Sequence, residues 1–157
     1  MGLRKILTDK EPALHKVCKP VTDFDRKLHK LLDDMAETLE DSNGVGLAAP
    51  QVGILRRVVL VDTGEEILEL INPTLVETDG EQVGAEGCLS VPGKYGLVKR
   101  PYYAKVCAQD RYGDWYEAEG EELIARCFCH ELDHLDGILY TEVMDRFLTE
   151  EELNAED

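Results

Sequence analysis

Apolar residues recur at helical spacing in two stretches of the chain and at strand spacing between them. Over residues 23–43, Phe24, Leu28, Leu31, Leu32, Met35 and Leu39 follow the i, i+3, i+4, i+7 rhythm of one helix face. Asp23 is the expected N-cap, and Ser42-Asn43-Gly44 the stop. Asp33, Asp34, Glu37 and Glu40 fall on the other face and read as solvated surface. A second helix, starting near Gly120, covers ELIARCFCHELDHLD at 122–136. Between the helices, 57–62 and 67–72 read as strands; Pro73 interrupts the second, and 75–78 resumes it before an Asp79-Gly80 turn. Residues 98–110 and 115–119 predict a hairpin around Arg111-Tyr112-Gly113-Asp114, whereas 83–93 holds too many small residues for a good strand. Pro12 suits the first turn of a brief helix, and the acidic tail beyond Tyr140 reads as partly helical.

These elements predict an α+β fold, with antiparallel β-sheets packed around the 122–136 helix and the 23–43 helix outside. With 157 residues and no linker or repeat, the expectation is one domain over 1–157, large enough to bury its own core. No apolar run approaches a membrane span, and the N-terminus lacks a signal-peptide core; Met1-Gly2 does not open a myristoylation motif, because Ile6 stands at its Ser/Thr position. A cytoplasmic location is expected. The formal net charge of −16 argues against a nucleic-acid substrate or an anionic membrane as partner. Five cysteines, odd in number and without a CxxC pair, read as thiols, metal ligands or core fillers.

The chemistry concentrates in His130-Glu131-Leu132-Asp133-His134. Residues four apart share a helix face, so His130 and His134 can present imidazole nitrogens to one metal ion. Glu131 can then reach a water at that ion and act as general base. The same spacing fits a half-exposed helix with solvated imidazoles, but Leu123, Ile124, Cys127, Phe128 and Leu132 place the histidines beside a core, where they need partners. A catalytic ion normally takes three protein ligands. Cys127 is seven residues from His134, about 10.5 Å along a helix, beyond the reach of its short side chain. Cys88, between Gly87 and Leu89 in the small-residue segment, is the choice for third ligand, and a thiolate with two imidazoles suits Zn²⁺ or Fe²⁺. A zinc peptidase using Glu142 or another downstream acid in place of Cys88 is the nearest rival, and a module stapled by metal a more distant one. In GVGLAAPQVG at 44–53, the paired glycines permit close approach to a ligand, and Gln51 is a candidate for orienting a substrate or an oxyanion.

GVGLAAPQ at 44–51, EGCLS at 86–90 and HELDH at 130–134, in this order, resemble the three signatures of the peptide deformylases: GxGxAAxQ, EGCxS and HExxH. The resemblance covers nearly the whole chain. It implies a hydrolase that removes the formyl group from the N-terminal formylmethionine of new polypeptides, releasing formate. Cys88, His130 and His134 would hold one divalent ion per chain, Fe²⁺ in the cell, with Zn²⁺, Ni²⁺ or Co²⁺ as substitutes. Glu131 would be general base and acid, while Gln51 and the Leu89 backbone N–H would stabilise the developing oxyanion. Val45, Gly46, Glu86, Gly87 and Cys127 would bind substrate, Gly46 through its backbone and Cys127 as a wall of the methionine pocket. The partners implied are formylmethionyl nascent chains, with transient ribosome contact that the acidic tail does not serve. Cys129 stands where many members carry Gln, and Tyr95 where some carry Arg.

Overall fold

The computed structural model describes residues 2–155. Met1 of the Met1-Gly2 pair, and Glu156 and Asp157 of the tail, lie outside the described residues. Three long-range layers dominate: helix α1 (Arg26–Ser42), a five-stranded antiparallel sheet, and helix α2 (Leu123–Leu135). The sheet runs β1 (Gly46–Ala48), β2 (Val58–Asp62), β3 (Ile67–Asp79), β6 (Tyr103–Gln109), β7 (Trp115–Glu121). A second antiparallel sheet is ordered β4 (Gln82–Cys88), β5 (Val91–Arg100), β8 (Arg146–Phe147), and a short helix α3 (Glu150–Ala155) follows. The α+β architecture read from the sequence is the one observed.

Strand β2 shows why VVLV is apolar throughout. Successive side chains point to opposite faces of a sheet. Val59 and Val61 pack in one cluster with Ala125, Cys127, Phe128 and Leu135 of α2. Val58 and Leu60 belong to a second, with Leu28, Leu31, Leu32, Met35 and Leu39 of α1. The sheet is therefore covered by a helix on each face, and α2, on the side of the second sheet's Cys88, forms the floor of a cleft.

Several boundaries differ from the expected ones. Asp25, two residues beyond Asp23, caps α1 by accepting the Leu28 N–H at 3.1 Å. Asp34 is buried on α1 rather than solvated, because the Arg4 guanidinium folds back onto it at 2.8 Å. Pro73 does not break β3; a bulge between Ile71 and Thr74 absorbs it, with Asn72 at φ 53° and its side chain bonded to Val21 and Gln109. The expected strand 98–110 is divided at Pro101, where the chain leaves the second sheet as β5 and enters the first as β6. Residues 119–121 stay paired with β6, so α2 begins at Leu123 rather than near Gly120. The largest difference is 83–93, which forms a hairpin: β4 and β5 pair, and Cys88 opposes Val91 across a two-residue turn.

Candidate active site

Helix α2 carries buried His130 and Glu131 into the cleft and His134 beneath it, and the end of β4 brings Cys88 to them. The His134 Nε2 atom lies 3.3 Å from Cys88 Sγ and 3.2 Å from His130 Nε2, and the three donor atoms all fall within 4.8 Å of one another. The other nitrogen of His130, Nδ1, is 2.6 Å from Glu86 Oε2. A proton on Nδ1 leaves the His130 Nε2 lone pair aimed at the other two donors. Three electron-rich atoms that converge in this way repel one another unless a proton or a metal cation lies between them. One thiolate and two imidazoles, with separations near the edge of a tetrahedron of 2.0–2.3 Å bonds, fit an ion such as Zn²⁺ or Fe²⁺. Glu142, the rival third ligand, is exposed and is bonded instead to the Leu139 N–H at 2.7 Å.

Glu86 and Glu131 are both buried, yet their surroundings differ. Glu86 accepts from Arg100 Nε at 3.0 Å and Nη2 at 2.6 Å, from Arg126 Nη1 at 2.9 Å, and from His130. Burial opposes its charge, but hydrogen bonds from His130 and Arg100 outweigh that and draw the carboxyl down to about 2. Glu131 Oε1 has no hydrogen-bond partner among the described residues. Burial pushes its carboxyl up to about 7, with the His130 charge pulling the other way.

Gln51 and Gly46 complete the opposite wall. The Gln51 Oε1 atom accepts the Ala48 N–H at 2.9 Å, which turns its amide nitrogen toward Ser90 Oγ at 3.1 Å and Cys88 Sγ at 3.6 Å. The Cys88 thiol also accepts the Ser90 N–H at 3.4 Å, so the tight turn itself holds the sulfur. A Cβ on Gly46 would stand 2.6 Å from both Cys127 Sγ and Glu131 Oε2, a contact only glycine avoids. The cleft encloses about 510 Å³ and is lined by Val45, Gly46, Gln51, Glu86, Gly87, Cys88, Leu89, Cys127, His130 and Glu131, with Tyr95 at 45% exposure on its rim. His134 is the one residue of the sequence-derived site that does not line the cleft, and it is reached through the donor cluster. Cys129 is buried but does not belong to that cluster.

A model of the family described as polypeptide deformylase matches residues 3–150. The chain belongs to the polypeptide deformylase family. A peptide deformylase of Agathobacter rectalis is 57% identical over 145 residues, 92% of this chain and 92% of that protein. One from Caldanaerobacter subterraneus subsp. tengcongensis is 53% identical over 155 residues, covering 99% of this chain and 98% of its own. The crystal structure of a peptide deformylase from Legionella pneumophila superposes with a TM-score of 0.88 at 40% identity, over 98% of this chain and 90% of that one. This membership makes the chain an enzyme of N-terminal protein processing. No helix among the described residues is long and apolar enough to cross a membrane.

Reading the deformylase's sequence missed four residues that the fold brings to this site. Arg100 and Arg126 pair with Glu86, Asp133 accepts Arg100 Nη1 at 2.8 Å, and the Tyr140 ring stacks 6.2 Å from that of His130. Asp133 lies inside HELDH and was available as a signal there; the arginines are indistinguishable in sequence from surface charges.

Proposed function

We propose that this chain hydrolyses the N-formyl group of formylmethionyl peptides, releasing formate and a free N-terminal methionine, with one divalent ion held by Cys88, His130 and His134. The observation that carries the reading is a buried carboxyl group, Glu131, with an oxygen left free beside three convergent metal-type donors. A bound Fe²⁺, or Zn²⁺, Ni²⁺ or Co²⁺ in its place, supplies Lewis acidity that polarises the formyl carbonyl and acidifies water. Glu131 takes the proton of the attacking water on its free oxygen and returns it to the departing amine nitrogen. A carboxyl raised to about 7 by burial suits both transfers near neutral pH.

As the formyl oxygen gains charge, the Gln51 amide nitrogen and the Leu89 backbone N–H donate to it. Gln51 is prepared for this by its bond to Ala48, which fixes which end of the amide faces the cleft. Gly46 presents its backbone to the peptide, and Cys127 and Glu131 occupy the space that a Cβ would need, which accounts for a glycine there. Val45, Glu86, Gly87 and Cys127 border the space for the methionine side chain, whose unbranched thioether adapts to irregular walls. The whole chain acts as one catalytic domain in the cytoplasm on nascent polypeptides, with any ribosome contact transient and made by a surface other than the acidic tail.

The test is formate release from a formyl-Met peptide by anaerobically purified, Fe²⁺-loaded protein, beside the acetyl-Met peptide and chelated protein. Release confined to the formyl peptide and the metal-loaded protein is expected. No release from folded, metal-loaded protein would overturn the reading.

A further inference from the structure

Helix α2 places Arg126 one turn before His130, on the same face. The Glu86 carboxylate spans the two: Oε1 accepts Arg126 Nη1 at 2.9 Å, and Oε2 faces His130 Nδ1 at 2.6 Å. Arg126 is only 7% exposed, and the same Nη1 reaches the Val98 carbonyl of β5 at 3.2 Å. Arg100, two residues along β5, grips both Glu86 oxygens and Asp133 of α2. Two guanidiniums and two carboxylates thus neutralise one another in a wall of the cleft. Arg100 is shared between Glu86 and Asp133 and grips Glu86 from β5, whereas Arg126 adds a hold on Oε1 from α2, the helix that carries His130.

We propose that Arg126 is a positioning residue for the metal site, acting through Glu86 on His130. Arg100 holds Glu86 from β5 and reaches α2 through Asp133, which is partly exposed. Arg126, itself anchored on Val98, fixes Oε1 and thereby fixes the direction of Oε2. That direction sets the orientation of the His130 ring and keeps its proton on Nδ1, so that Nε2 stays aimed at Cys88 Sγ and His134 Nε2. The role rests on the reading of these three residues as metal ligands. It adds to the sequence motifs a residue outside all three of them, from the turn of α2 that precedes HELDH.

The test is Zn²⁺ affinity, measured by competition with a chromophoric chelator on wild type, Arg126→Met and Arg126→Lys well below their melting temperatures. Met keeps the apolar stem and removes the donors; Lys restores one cation within reach of Glu86. Arg126→Met is expected to bind Zn²⁺ about 10- to 100-fold more weakly, the range typical of partners that orient a ligating histidine. Arg126→Lys is expected to recover most of that loss, and the visible spectrum of the Co²⁺-loaded Met variant to shift from that of wild type. A residue with a merely structural role would lower the melting temperature and leave affinity and spectrum unchanged. Wild-type affinity in folded Arg126→Met overturns the proposal; if that variant does not fold, Arg126→Gln carries the same prediction and the same contradiction. Failure of the wild-type protein itself to bind Zn²⁺ tightly overturns instead the metal-site reading beneath it.

Discussion

Two buried carboxylates stand at two corners of the cleft, and nearly everything about them differs except their burial. Glu86 and Glu131 are each 4% exposed. The Glu86 corner is closed: Arg100, Arg126 and His130 fill its acceptor positions, and its proton affinity is driven down. The Glu131 corner is open: one oxygen has no partner, and burial drives its proton affinity up. Burial alone therefore assigns no role. A carboxylate whose lone pairs are all engaged orients its neighbours, whereas one left free next to convergent donors is available to move protons. The two corners meet at His130, which the closed corner grips by Nδ1 and the open one shares through Nε2.

Breaking the open corner should have the largest effect. Cys88→Ala removes one of three donors, and its metal affinity, read by chelator competition, is expected to fall by about a thousand-fold or more, beyond the 10- to 100-fold typical of an outer partner. Breaking the closed corner should cost the fold as well as metal affinity. Glu86→Gln leaves Arg100 and Arg126 facing a neutral amide, and the expected loss is about 3–5 kcal/mol in denaturant unfolding. A loss under about 1 kcal/mol would mean that the network is not a closed charge set. Gly46→Ala tests the spacing of the open corner, since its Cβ would collide with Cys127 Sγ and Glu131 Oε2. A fall in kcat/KM of about 100-fold at retained stability is the expected outcome.

Asp34 offers a milder case of an engaged carboxylate, far from the cleft. Burial would raise its pKa, but the Arg4 hydrogen bond and the Lys30 charge lower it from 3.8. A lowered carboxylate contributes stability that is present above the unfolded value and lost as pH falls through the folded one. Asp34→Asn is thus expected to cost about 1 kcal/mol at pH 7, with the gap to wild type closing below about pH 3.8. A gap that persists unchanged at low pH would place the cost in packing and not in charge.

How much of this was legible in the sequence depends on how local each signal is. The α1 stripe and the HELDH spacing are local patterns on single helices, and both elements formed where the periodicity put them, to within two or three residues. The β4–β5 hairpin was not legible: Gly84, Ala85 and Gly87 weaken the strand pattern, and the turn at Leu89-Ser90 carries no glycine or asparagine to announce it. The Asn72-Pro73 bulge depends on a side chain that bonds to Val21, 51 residues away. The Glu86 network was the least legible part. Its members are 14, 40 and 44 residues from Glu86, and the two arginines taken alone read as surface until Glu86 is placed beside them. Asp34 misled for the same reason, its partner Arg4 lying 30 residues before it.

The most direct test of the contrast between the two corners is formate release by Glu131→Gln beside wild type, with bound metal quantified in both. Gln keeps the shape of the side chain and removes its capacity to take a proton. The account predicts equal metal content, an intact fold and a loss of turnover by several orders of magnitude. Turnover within about ten-fold of wild type, at equal metal content, would contradict the role given to Glu131 and with it the meaning of its unpaired oxygen.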